Sequence, residues 1–100
     1  MGGRFAGPAR LRAVISGQVQ MVGFRAFVTG RARSRGVAGY VRNLPGGDVE
    51  VVAEGDRKLL EEFLEDLRRG PRSAEVREVR TSWERGRGEF AEFSVRYGVW

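Results

Sequence analysis

Arg25 and the glycine-bearing segment before it carry the residue types best suited to chemistry in this chain. Across Gly17-Gln18-Val19-Gln20-Met21-Val22-Gly23-Phe24-Arg25 a strand pattern ends and a helix pattern begins. A turn of this kind, feeding a helix N-terminus, points several backbone N–H groups one way, and the helix dipole adds positive potential there. Arg25, on the first helical turn, contributes a planar cation that matches phosphoryl oxygens. The segment Gly17–Gly23 therefore reads as a small oxyanion cradle with an arginine clamp. Glycine-rich strand-to-helix turns also occur without a ligand, and an isolated arginine at a helix start also suits a surface ion pair. The 100 residues include no cysteine and no histidine, which excludes cysteine and histidine nucleophiles, Ser-His triads and zinc sites built on those residues. Any catalysis falls to arginine, asparagine, carboxylates, backbone amides or water.

The elements that must position these groups follow from hydrophobic periodicity. Arg10 to Ser16 alternates, with Leu11, Ala13 and Ile15 on one face, and predicts a half-buried strand. Phe24, Phe27, Val28 and Ala32 recur at helical spacing, predicting a helix that stops at Gly36. Val37 to Leu44 and Asp48 to Glu54 alternate on either side of Leu44-Pro45-Gly46-Gly47 and predict a hairpin, with Glu50 and Glu54 turned outward. Asp56 is placed to cap a second helix whose stripe is Leu59, Leu60, Phe63, Leu64 and Leu67, with Asp66 among the residues towards solvent. Gly70-Pro71 ends it. Glu75 to Trp83 reads as a strand in which Val76 and Val79 break alternation, as at a bulge, and Phe93, Val95 and Tyr97 alternate in a short last strand. The order β-α-β-β-α-β predicts an α+β, ferredoxin-like sandwich: a mainly antiparallel sheet, two helices on one face, and a short extra C-terminal strand. In that topology strands one and two run parallel about the third, so the Gly17–Gly23 turn and Asn43 reach the same sheet edge, roughly 10 Å apart. Arg25 and Asn43 can converge there on a phosphoryl group and a water. Asn43 also suits a plain turn role.

Two stretches carry a family resemblance. Ile15-Ser16-Gly17-Gln18-Val19-Gln20-Met21-Val22-Gly23-Phe24-Arg25 resembles the first signature of the acylphosphatases, and Gly39-Tyr40-Val41-Arg42-Asn43 with Gly47, Val49 and Gly55 resembles the second, at the expected spacing. The resemblance covers roughly residues 10 to 97. It implies hydrolysis of the carboxyl-phosphate bond of acyl phosphates, with Arg25 on the phosphoryl oxygens, Asn43 holding the attacking water through its side-chain amide, and no metal or other cofactor. Met21 departs from it, standing where the family usually has glycine. If residue 21 needs positive φ, a side chain there costs about 1–2 kcal/mol. An alternative is thus an anion-binding domain whose catalysis Met21 has impaired.

Composition bounds the rest. Residues 1–9 form an expected loose tail without an apolar leader segment, and residues 10–100 one domain. No run is long enough for a membrane helix, and the absence of cysteine makes a cytoplasmic home the default. The net charge of +5 comes almost wholly from scattered arginines. It can attract nucleic acid, acidic lipid or small anionic substrates, and scattered arginines also suit a plain solvated basic surface. The resemblance implies an acyl phosphate substrate, with inorganic phosphate or a similar anion in the site. A nucleic-acid-binding module on the same framework is a second alternative. Strand three, Asp48 to Glu54, argues against it, being acidic and without the aromatics that stack bases. A monomer is the default for so small a domain.

Overall fold

The computed structural model describes residues 8–97. Five strands and two helices follow in the order β1 (Ala9–Gln18), α1 (Phe24–Arg35), β2 (Ala38–Asn43), β3 (Val49–Gly55), α2 (Arg57–Arg69), β4 (Glu75–Arg85) and β5 (Phe93–Arg96). The sheet order is β4-β1-β3-β2-β5, antiparallel except where β5 joins β2. This is the expected ferredoxin-like α+β arrangement, with β1 and β2 parallel to one another on either side of β3. The tail expected at residues 1–9 lies outside the described residues up to position 7, whereas Ala9 is fully buried and already paired with Gly55 and Arg85. Trp100 also lies outside them.

The core forms where the inward face of the sheet meets the helices. Leu11, Ile15, Val41, Val49 and Val51 meet Phe24 and Val28 of α1 and Leu60, Phe63 and Leu67 of α2, all essentially inaccessible to solvent. Phe93 of β5 closes one end, edge-on to Phe63 with ring centroids 6.0 Å apart. Burying each such side chain stabilises the fold by about 1.5–3 kcal/mol. Asp56 caps α2 as expected, its carboxylate accepting from the Lys58 N–H at 2.8 Å. The irregularity read from Val76 and Val79 is also present. Ser16 pairs with Glu78 and Gly17 with Val76, so Arg77 is the extra residue.

The expectation that alternate carboxylates face solvent requires correction. Glu50 and Glu54 do lie on the sheet face away from the helices, but both are buried, as is Asp66 of α2. Glu50 accepts from Arg12 at 2.7 Å and Arg42 at 2.6 Å. Glu54 accepts from Arg10 at 2.7 Å and from the Arg87 and Gly88 backbone N–H groups. Asp66 accepts a two-pronged contact from Arg35 at 2.8 and 3.0 Å. Burial alone would raise these carboxyl pKa values, yet the arginine and amide donors outweigh it and hold all three below the ordinary value. Long arginine stems from neighbouring elements cover the carboxylates and keep water off them.

Candidate active site

β1 extends further than its alternation suggested. Gly17 and Gln18, expected in the cradle, are strand residues paired with Val76 and Glu75 of β4. Gly17 has φ 131°, and a Cβ there would stand 2.0 Å from the Glu75 carbonyl oxygen. Its glycine lets β4 close against β1, so the turn before α1 shortens to Val19–Gly23.

That turn is held from three sides. Val19 is buried in the core. The Gln20 side-chain amide donates to the Leu44 carbonyl at 2.9 Å and the Asp48 carbonyl at 2.8 Å, tying the turn to the β2–β3 hairpin beside Asn43. Ser73, after α2, donates from its hydroxyl to the Val22 carbonyl at 2.7 Å. Between these tethers Met21 takes φ 64°, the one non-glycine residue at positive φ among those described, with its side chain almost wholly exposed. The backbone conformation that glycine would supply is therefore kept by a methionine, at a cost of about 1–2 kcal/mol.

The turn ends at Gly23, the α1 N-cap, with φ 78° and no side-chain cap. Helical bonding begins with the Phe27 N–H donating to the Gly23 carbonyl at 3.0 Å. The N–H groups of Phe24, Arg25 and Ala26 therefore precede the helical ladder, and the first turn carries no acidic residue. Those three residues line one wall of a cavity of about 220 Å³. Val19, Met21 and Gly23 line a second wall, and Val95 and Tyr97 the third. The cavity is smaller than the roughly 300–1,000 Å³ typical of drug-sized ligands. The Arg25 guanidinium carbon lies 5.1 Å from the Tyr97 ring centroid. Its backbone carbonyl accepts from Thr29 Oγ1 at 2.8 Å. An uncapped helix N-terminus and a cation thus share one small cavity, an arrangement suited to an oxyanion.

Asn43 sits at the end of β2, opposite Val49. It does not line that cavity but stands beside it. Arg42 pairs with Arg96 in the parallel β2–β5 ladder, so Asn43 and Tyr97 are the next positions on adjacent strands. Asn43 Oδ1 is buried and has no hydrogen-bond partner, the single such side-chain atom among the described residues. An unpaired buried acceptor costs about 1–3 kcal/mol, which makes it a natural seat for a water or a donor group. No group of three or more acidic, histidine or cysteine side chains positioned to hold a metal occurs among the described residues.

Gln20 and Val22 were expected in the cradle but not as tethers, and Ser73 and Tyr97 were not expected at the site at all. Gln20 and Val22 serve as tethers, through the Gln20 amide and the Val22 carbonyl, and do not line the cavity. Ser73 carried no signal, because its contact spans 51 positions. Tyr97 was legible only as the end of a strand, and its place beside Arg25 depends on β5 joining β2 in parallel.

The family model described as acylphosphatase matches residues 11–95. The chain is 49% identical over 88 residues to an acylphosphatase of Dehalococcoides mccartyi, covering 87% of this chain and 97% of that protein. It is 51% identical over 74 residues to one of Thermus thermophilus, covering 74% of this chain and 84% of that protein. The crystal structure of acylphosphatase from Bacillus subtilis superposes with a TM-score of 0.86 at 35% identity, covering 89% of this chain and 99% of that one.

Proposed function

The chain belongs to the acylphosphatase family and is an acyl phosphate hydrolase, and from that premise we propose that Arg25, the Val19–Gly23 turn and Asn43 carry out the reaction. The phosphoryl oxygens sit against the N–H groups at the start of α1 and the Arg25 guanidinium. The observation that carries this reading is the uncapped α1 N-terminus, which opens with Arg25 onto a single cavity. Asn43 Oδ1 accepts a hydrogen bond from the attacking water and turns its lone pair towards phosphorus. The water oxygen bonds to phosphorus as the bond from phosphorus to the acyl oxygen breaks. The acyl group leaves as a carboxylate with that bonding pair, and the water's protons remain on the phosphate formed or pass to solvent. A carboxylate is a weak base, so its departure needs little general-acid help, and positioning with charge neutralisation carries most of the rate. Written this way the step uses no histidine base and no metal.

The same reading takes the enzyme to be a cytoplasmic monomer with inorganic phosphate as a second occupant of the cavity. Competitive inhibition by inorganic phosphate tests the assignment. Arg25→Ala is expected to raise the inhibition constant at least tenfold, whereas Asn43→Ala leaves it within about twofold and lowers kcat by about 10²–10³. An unchanged inhibition constant in a folded Arg25→Ala variant would remove Arg25 from the phosphate site. Against the nucleic-acid alternative stands the outer sheet face, where Arg10, Arg12 and Arg42 are already engaged by Glu54 and Glu50.

A further inference from the structure

Two large hydrophobic side chains are left exposed among the described residues, Met21 at 97% and Tyr97 at 75%. They come from opposite ends of the chain, yet both line the cavity that Arg25 lines. Val95, partly buried, continues the apolar surface on the Tyr97 side. The cavity therefore has two characters. Arg25 and the α1 N-terminus make part of its lining cationic, and the exposed Met21 and Tyr97 with the partly buried Val95 make another part apolar. No carboxylate lines it.

We propose that Met21, Val95 and Tyr97 form a subsite for the acyl group and make the enzyme prefer acyl phosphates with an apolar, and best a planar aromatic, acyl part. The inference rests on the reading of Arg25 and the Val19–Gly23 turn as the phosphoryl site. With the phosphoryl group against Arg25 in a cavity of about 220 Å³, the acyl part extends towards the solvent-exposed lining, which Met21 and Tyr97 supply. A methionine is unbranched and polarizable and adapts to a flat ring, and a tyrosine presents a flat apolar face. Met21 stands almost wholly exposed, from a left-handed backbone conformation, and Tyr97 leaves most of its surface exposed while its ring stays beside the Arg25 guanidinium. An apolar acyl group would remove part of both surfaces from water. A charged or hydroxylated one would gain little there.

The test is kcat/KM for benzoyl, butanoyl and acetyl phosphate, measured for the parent, Met21→Asn, Tyr97→Ser and the double variant. Asparagine is chosen because it tolerates positive φ. The ratio of benzoyl to acetyl phosphate is taken within each protein, so disturbance of the shared phosphoryl site cancels. The parent is expected to favour benzoyl phosphate, and the ratio to fall about tenfold in the double variant, equivalent to about 1.4 kcal/mol. Butanoyl phosphate is expected to fall between the two. Tyr97→Phe, which keeps the ring, should hold the parent ratio. An equal ratio in the parent and the double variant overturns the subsite while leaving hydrolysis intact. If no acyl phosphate is turned over, the phosphoryl-site reading fails first. Binding of benzylphosphonate against methylphosphonate then decides the subsite, with about tenfold tighter aromatic binding, lost in the double variant, supporting it and equal affinities overturning it.

Discussion

Met21 and Asn43 are the residues at which local energetics and function meet. Met21 holds φ 64° without a glycine's freedom. Replacing it by glycine relieves strain of about 1–2 kcal/mol but loosens the unfolded chain by up to about 1 kcal/mol. Met21→Gly is therefore expected to stabilise the fold by about 1 kcal/mol, read as a higher urea midpoint at constant slope. A lower midpoint would mean that the side chain contributes packing the cavity wall does not suggest. Asn43 is the converse case, since its buried Oδ1 has no partner to lose. Asn43→Ala should cost less than about 1 kcal/mol in urea unfolding, so a fall in phosphate release by that variant is a loss of chemistry and not of structure. The placement of Arg25 and Asn43 at one sheet edge was legible in the sequence, because each sits in a motif that the topology brings there. The burial of Glu50, Glu54 and Asp66 was not. Alternation reports which way a side chain points, and the arginines that cover these carboxylates come from other elements or from the next strand.

At the scale of elements, the site depends on how the turn between β1 and α1 is gripped. The strand, turn and helix were visible as a change of hydrophobic period from two to 3.6, but the end of β1 was not. Gly17 looked like the first residue of a turn, whereas it is the glycine that admits β4. Gln20 was expected in the cradle through its backbone, and its side chain is in addition the strut to the hairpin. Gln20→Ala removes two hydrogen bonds to carbonyls and is expected to cost about 1–3 kcal/mol of stability. It should also raise KM more than it lowers kcat, because the freed turn must be ordered by the bound substrate. Steady-state kinetics of that variant beside Ser73→Ala, which loses the opposite tether, would show whether both grips matter. A wild-type KM in both would mean that the turn keeps its shape through Val19 and Gly23 alone.

For the molecule as a whole, charge sets both stability and encounter. Glu50, Glu54 and Asp66 have folded pKa values below their ordinary ones, despite burial that acts in the opposite sense, because arginine and backbone donors favour the charged form. A depressed carboxyl pKa contributes stability that is fully present above the unfolded value, near 4.5 for glutamate and 3.8 for aspartate, and lost as pH falls through the folded value. Urea midpoints are therefore expected to stay flat from neutral pH to about pH 5 and to fall steeply below it. Asp66→Asn, which takes the Asp66 carboxylate from Arg31 and Arg35 and leaves Arg35 only Glu62, should lower the neutral midpoint and flatten that acid limb. An acid limb unchanged in Asp66→Asn would assign it to other groups. The net charge of +5 favours encounter with an anionic substrate. The central claim remains the phosphoryl site, and its most direct test is phosphate release from benzoyl phosphate in excess chelator, with the parent beside Arg25→Ala and Asn43→Ala and the fold of each confirmed by far-UV circular dichroism. Turnover that persists in chelator and falls by about 10²–10³ in both folded variants is the predicted result. Turnover that survives either substitution, or that the chelator abolishes in the parent, would contradict it.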